Sequence, residues 1–194
     1  MIVISNPIAI ANEINTIHAL FERGLELFHV RKPTFSASEM KEFVSAIGLE
    51  YRNKLVLHSH HHLAEELEIN RLHFTSINRP VRFLKPDRFN TISTSTHTIE
   101  EFNSLSKDFN YAFLSPVFSS ISKENYVPKT DLFEEIKNRT NFNTKLVALG
   151  GISTANIKQT LEKGFDDFTL LGNIWNSENS IKNFELCQQI VLSY

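Results

Sequence analysis

The stretch that decides the fold runs from Leu146 to Gly172 and reads LVALGGISTANIKQTLEKGFDDFTLLG. It opens on an apolar run, Leu146 to Leu149, and turns at Gly150 and Gly151. A helix-period segment from Ser153 to Lys163 follows and is ended by Gly164. A second apolar run, Phe168 to Leu171, closes on Gly172. Runs this short, bounded by glycine, read as buried strands, and a strand, a helix and a strand in that order make one unit of a parallel sheet.

The same alternation extends outward in both directions. Toward the C-terminus, Ser180 to Leu192 closes the chain as a helix. Toward the N-terminus, strands are predicted at Met1 to Ser5, Leu25 to Arg31, Lys54 to His58, Arg71 to Phe74, Thr91 to Thr94 and Tyr111 to Leu114. Helices are predicted between them at Ala11 to Arg23, Ser36 to Tyr51, His61 to Leu67, Thr98 to Lys107 and Asp131 to Arg139. Ser36 and Glu39 carry capping-box spacing. From Ser76 to Arg88 the pattern is irregular, because Pro80 and Pro86 allow only a short helical piece between them. Eight strand–helix units predict an α/β fold, a (β/α)₈ barrel, with residues 1–194 as one domain. At about 250 residues the usual barrel is larger, so the loops here must be short. The long segment from Ser115 to Lys129 is the exception and reads as functional or mobile.

Composition limits the partners. The 20 basic and 22 acidic residues leave a formal charge of −2, so no global field recruits nucleic acid or an anionic membrane, and any anion site must be local. The single Cys187 excludes an intrachain disulfide and reads as packing. MIVISNPIAIA at the start lacks a basic leader and is broken by Asn6 and Pro7, so neither a signal peptide nor a membrane span is expected and the chain reads as cytoplasmic. A homodimer is left open.

In parallel α/β folds the site lies beyond the carboxyl ends of the strands. Those ends carry His29, Arg31 and Lys32; His58, Ser59 and His60; His73; Ser93, Ser95 and His97. After the sixth strand come Ser115, Ser119, Ser120, Ser122 and Lys123, and after the last two come Gly150, Gly151, Gly172 and Asn173. Bare main-chain N–H groups after strands seven and eight are a recurrent phosphate site in barrels. Arg31, Lys32 and Lys123 suit further phosphate oxygens, against the plainer reading of solvated rim charges. Imidazoles titrate near neutrality, which suits His58, His29 or His97 to proton transfer; the plainer reading is rim and capping histidines. His58 and His60 alternate onto one face of an extended chain, which opens a metal reading with His73 or His97 as third ligand. No carboxylate lies beside them in sequence, and no metal site is assigned.

Six segments taken in order, HVRK at 29–32, LVLHSHHHLAEEL at 55–67, LHF at 72–74, STSTHTIEE at 93–101, YAFLSPVFSSISK at 111–123 and VALGGIST at 147–154, resemble the thiamine phosphate synthase/TenI family across nearly the whole chain. The resemblance implies a transferase that joins a pyrimidine methyl diphosphate to a thiazole phosphate with release of pyrophosphate. Arg31, Lys32 and Lys123 would then face the diphosphate, with Ser93 or Ser95 beside it and Ser120 and Ser122 on the sixth loop. Gly150, Gly151, Gly172 and Asn173 would hold the thiazole phosphate, and His58, His29 and Lys123 form the expected catalytic set. It also implies Mg²⁺ for the synthase branch. Yet His58-Ser59 and Phe74-Thr75-Ser76 stand where similar synthases carry an Asn-Asp pair and a Gly-Gln-x-x-Asp-like turn. The TenI branch implies a thiazole tautomerase, an isomerase, but its expected histidine beside strand six is Pro116 here. A barrel that binds a thiamine precursor without turning it over is the third reading. The synthase stands first because its basic residues are retained.

Overall fold

The computed structural model describes residues 1–80, 89–119 and 131–193. Eight parallel strands, β1 (Ile2–Ile4), β2 (Phe28–Val30), β3 (Leu55–Leu57), β4 (Arg71–Phe74), β5 (Thr91–Thr96), β6 (Tyr111–Leu114), β7 (Lys145–Ala148) and β8 (Asp167–Leu170), follow one another around a closed barrel. Closure is made by β8 returning to β1, with Ile2 opposite Thr169 and Val3 opposite Leu170. The helices are α1 (Glu13–Glu22), α2 (Ala37–Ile47), α3 (Ile99–Asn103), α4 (Leu132–Glu135), α5 (Ile157–Glu162), α6 (Gly172–Trp175) and α7 (Ser180–Leu192). The (β/α)₈ barrel expected from the sequence is the fold observed.

Strand residues alternate between two faces, and the alternation builds two cores. Outward-pointing Val3, Phe28, Val30, Leu57, Ala112, Leu114 and Ala148 pack against Ile17, Leu20, Met40, Val44 and Phe184 of the helix ring. Inward-pointing Ile2, Ile4, Tyr111, Phe113 and Val147 form a second, smaller cluster within the barrel. This inner cluster draws on β1, β6 and β7, with Leu149 and Leu171 beside it. The remaining interior holds His29, His73 and Ser93, all buried, together with Val56 and Thr169. One side of the barrel interior is therefore mainly apolar and the other mainly polar.

Several elements are shorter than their sequence pattern predicts. The helix expected from Ser153 starts only at Ile157. The Asn156 side chain accepts from the Ser153 N–H at 2.9 Å and donates to the Gly151 carbonyl at 2.9 Å, holding residues 151–156 as a loop. The helix expected over His61 to Leu67 is reduced to a single 3₁₀ turn, His61–Leu63, preceded by His60 at φ 53°. The helix over Thr98 to Lys107 stops at Asn103, where the Ser104 hydroxyl donates back to the Glu101 carbonyl. The predicted capping box is present, with the Glu39 carboxylate accepting from the Ser36 N–H at 2.7 Å. The helical piece expected before Pro86 lies outside the described residues. No described helix is long and apolar enough to cross a membrane.

Candidate functional site

A cavity of about 370 Å³ opens at the carboxyl ends of the strands. Its wall is assembled from residues far apart in sequence, among them Ile4, Arg31, His58, His73, Ser95, His97, Phe113, Gly150, Gly151, Leu171 and Gly172.

The β7 and β8 side is made of main chain. Gly150 and Gly151 follow β7 with φ of +106° and +66°, a region that side-chain-bearing residues rarely occupy. Space enforces the choice as well. A methyl group on Gly151 would stand 2.5 Å from the Ser119 carbonyl oxygen and 2.6 Å from Phe118 Cβ, and one on Gly150 would stand 3.1 Å from Pro116. The loop after β6 is laced to this turn, with the Val117 N–H donating to the Leu149 carbonyl at 3.0 Å and the Phe118 N–H to that of Gly150 at 3.1 Å. Among the described residues, no acceptor takes the N–H groups of Gly150, Gly151, Ile152, Gly172 or Asn173. Gly172 differs from the other two: its φ is not positive, and it opens the short α6 that the sequence reading missed. That helix is pinned by the Trp175 indole N–H on the Ile4 carbonyl, 2.6 Å, and by Asn183 on the Asn173 carbonyl, 2.9 Å.

Across the cavity stands Arg31. Its backbone is fixed to β1 reciprocally, the Arg31 N–H donating to Ser5 Oγ at 2.8 Å while that hydroxyl donates to the Arg31 carbonyl at 3.0 Å. The Arg31 side chain is exposed on the cavity and has no ion-pair partner among the described residues. Lys32 goes elsewhere, which corrects the sequence expectation. It is 1% exposed and its Nζ donates to Glu13 Oε2 at 2.5 Å and to the Ile8 carbonyl at 2.9 Å, over the ring of Phe43. Alternation along the chain turns consecutive residues to opposite sides, so one basic residue meets the cavity and its neighbour enters the wall. Burial pushes the Glu13 carboxyl up and the Lys32 amine down, and each partner opposes the other's shift.

The β2 to β5 side is a cluster of imidazoles. His29 Nδ1 lies 2.7 Å from His58 Nε2, and His29 Nε2 lies 2.6 Å from the Tyr111 hydroxyl. His73 is held between two hydroxyls, Ser93 Oγ on Nδ1 and Ser95 Oγ on Nε2, each at 2.9 Å. The His58 and His73 rings stack at 4.1 Å, and Phe113 stacks on His73 at 4.8 Å. Desolvation holds the His29 and His58 imidazoles well below the ordinary histidine range and takes His73 to about 3. The charges of the neighbouring histidines, and of Arg31 for His58 and His73, push the same way. All three are neutral near pH 7. Burial also raises the Tyr111 hydroxyl above the tyrosine range.

Of the side chains expected to form the site, Arg31, His58, Ser95 and His97 line the cavity together with Gly150, Gly151 and Gly172. His97 donates through Nδ1 to the Ser115 carbonyl at 3.1 Å. His29 and Ser93 sit one layer deeper, fully buried behind His58 and His73, because inward residues of neighbouring strands stack in layers inside a barrel. Asn173 turns its amide toward Cys187 Sγ at 3.6 Å, and the residue is not part of the cavity wall. Cys187 is buried packing, its thiol pushed up to about 11 by that burial. His60 does not join His58; its Nε2–H donates to the Phe35 carbonyl at 2.8 Å. Ser120, Ser122 and Lys123 lie outside the described residues. Sequence reading passed over Tyr111 and Phe113, which the alternation along β6 marks as inward.

Mg²⁺ takes hard oxygen ligands, usually carboxylates. Among the described residues no carboxylate lines the cavity, and the strand ends concerned offer imidazole and hydroxyl instead. This donor set does not fit Mg²⁺.

Comparison with known proteins shows the family. A family model described as thiamine monophosphate synthase (TMP-TENI) matches residues 1–174. The chain is similar to a thiamine-phosphate synthase from Caldicellulosiruptor bescii, 27% identical over 191 residues, covering 94% of this chain and 86% of the relative. It resembles the structure of a thiamine phosphate pyrophosphorylase from Bacteroides thetaiotaomicron, with a TM-score of 0.78, 27% identity, and coverage of 98% of this chain and 96% of the other. A thiamine phosphate pyrophosphorylase from Pyrococcus furiosus shares the fold with a TM-score of 0.81 at 19% identity, covering 99% and 95%.

Proposed function

Because the chain belongs to the thiamine monophosphate synthase (TMP-TENI) family, we propose that it joins a pyrimidine methyl diphosphate to a thiazole phosphate and releases pyrophosphate. The observation that carries this reading is one cavity with two anion-binding walls of different kinds. The uncommitted N–H groups around Gly151 and Gly172 face the exposed guanidinium of Arg31 across it.

The reaction asks for two things. The bond between the methylene carbon and the diphosphate oxygen breaks with its electron pair leaving on pyrophosphate, and the thiazole nitrogen then donates its lone pair to that carbon. The leaving anion is stabilised by Arg31, whose planar fork matches phosphate oxygens, with the Ser95 hydroxyl beside it and Lys123 and the serines of the sixth loop added on sequence grounds. Main-chain donors at Gly151, Ile152 and Gly172 hold the thiazole phosphate and so aim the nucleophile. Ile4, Phe113, Leu149 and Leu171 give the rings an apolar bed. His58 and His73, held neutral, act there as hydrogen-bonding groups and add no positive charge, which leaves Arg31 as the cation of the described wall. No step is routed through Mg²⁺.

The test is incubation of the protein with both substrates, followed by chromatography for thiamine phosphate and a coupled assay for pyrophosphate. Stoichiometric formation of both is expected. Thermal stabilisation by each substrate without either product, in a protein that is folded by circular dichroism, would leave a precursor-binding barrel in its place.

A further inference from the structure

The imidazole cluster is more than the joining reaction needs. His29, His58 and His73 can each offer a ring nitrogen such that all three lie within 4.8 Å of one another. We propose that these three side chains, on β2, at the end of β3 and on β4, bind one divalent transition-metal ion of the zinc or cobalt class.

Imidazole nitrogen is the preferred protein donor for such ions, and three histidines with an open fourth position is an established stoichiometry for zinc that exchanges ligands. The groups around the cluster are those a metal site requires. Metal-bound imidazoles are oriented by hydrogen bonds at the far nitrogen. With His29 ligating through Nδ1, its Nε2–H donates to the Tyr111 oxygen already 2.6 Å away. With His73 ligating through Nε2, its Nδ1–H donates to Ser93 Oγ at 2.9 Å. Far-side partners are thus in place for two of the three rings. His58 and His73 line the cavity, so the fourth position opens toward bound ligand rather than into the core.

The present geometry also says what binding must change. Ligands of a tetrahedral zinc stand roughly 3.3 Å apart, given Zn–N distances near 2.0–2.1 Å. His29 Nδ1 and His58 Nε2, at 2.7 Å, must spread slightly, and the stacked pair of His58 and His73 must open so that their in-plane lone pairs converge. His58 has the freedom to do this, being half-buried with the cavity on one side. His73 exchanges its Ser95 hydrogen bond for the ion. Binding of the ion does not rest on the synthase reading; only its use, neutralising a diphosphate where carboxylate-held Mg²⁺ does not fit, would.

The experiment titrates chelator-treated full-length protein with Co²⁺, following visible ligand-field absorption, and then displaces it with Zn²⁺ under calorimetry. One equivalent per chain is expected, with low-coordinate cobalt absorption that zinc abolishes and excess Mg²⁺ leaves unchanged. His58→Ala should lose more than about tenfold in affinity, and His58→Gln, which keeps a hydrogen-bonding head for His29, should lose as much while holding the fold. The double variant His60→Ala/His62→Ala removes the neighbouring surface pair, whose rings lie 5.9 Å apart, and should bind as the unaltered protein does. Absence of cobalt absorption in folded protein would overturn the proposal. So would binding that survives both His58 variants, or binding lost in the surface variant instead. None of these readouts depends on turnover, so a failed synthase assay and a failed metal titration remain separate results.

Discussion

The two sides of the barrel interior are built on opposite principles. From β6 through β1 the inner face is mainly Tyr111, Phe113, Val147, Ile2 and Ile4, and its rim presents backbone. From β2 through β5 it is mainly His29, His58, His73, Ser93 and Ser95, and its rim presents side chains. A main-chain rim has no proton to gain or lose and depends on φ angles and clearance. An imidazole rim depends on protonation and on the dielectric around it. The comparison teaches that one mouth is walled by groups of unrelated physics, and that each side can be broken without touching the other.

The largest effect is expected from a residue that belongs to neither rim. Lys32 and Glu13 form a buried pair, so Lys32→Met leaves an uncompensated carboxylate. Loss of one partner of such a pair costs about 3–5 kcal/mol. Denaturant unfolding should show that loss, while phosphate affinity in the remaining folded protein stays within about twofold, since Lys32 does not reach the cavity. A large fall in affinity at unchanged stability would return Lys32 to the site.

Acid should separate the two sides next. The folded-state values of His29 and His73 lie below the ordinary value of 6.5, so at lower pH the unfolded chain binds protons that the folded chain refuses. The stability they contribute is whole above about pH 6.5 and is lost as pH falls from there toward the folded values, near 3 for His73. Each contributes a slope of up to about 1.4 kcal/mol per pH unit. Urea unfolding at pH 7.0, 6.0 and 5.0 checks this. A midpoint that is flat over the interval would mean that the cluster is hydrated or already charged.

The glycine side should respond to shape instead. Gly151→Ala places a methyl group against the Ser119 carbonyl at a strained φ, so the turn must move and the loop after β6 with it. A site displaced by about 1 Å loses on the order of 100-fold in turnover. Gly172→Ala, where φ is not positive, should fold normally and weaken phosphate binding far less. Equal effects of the two substitutions would show that the turn conformation is not what holds the anion.

The legibility of these regions differed for the same reason. Strand positions, the eight-unit order and the glycine turns were readable because period-2 and period-3.6 patterns and glycine punctuation are local. Arg31, His58, Ser95 and His97 were readable as strand-end residues. Lys32 was misplaced because its direction depends on where the strand pleat ends, and its partner Glu13 is on another element. The depth of His29, its pairing with Tyr111 on the far side of the barrel, and the replacement of His60 by His29 in the imidazole cluster are closure properties, set only when β2 and β6 face each other. Asn156 cut short a helix through one side chain, a contest between local hydrogen bonds that periodicity does not register.

The smallest effect sharpens the side-chain rim itself. Among the described residues Arg31 is the exposed cation on the cavity, and a hydrogen-bonded charge of this kind contributes about 1.5–3 kcal/mol, roughly 10- to 100-fold in binding. Water screens an exposed group, so Arg31→Ala should fall at the lower end of that range for a diphosphate. Arg31→Lys should recover only part of it, because an ammonium keeps the charge and loses the two-pronged geometry. His97→Ala lies below even that. His97 is also exposed, and its Nδ1–H is already given to the Ser115 carbonyl, so a change of less than about threefold is expected. The order Arg31→Ala, Arg31→Lys, His97→Ala, measured as KM for the diphosphate at pH 7.5, is therefore a ranking of charge, geometry and proximity. If His97→Ala proves the most damaging, the anion sits over β5 and β6 rather than over β2, and Arg31 is a bystander at the mouth.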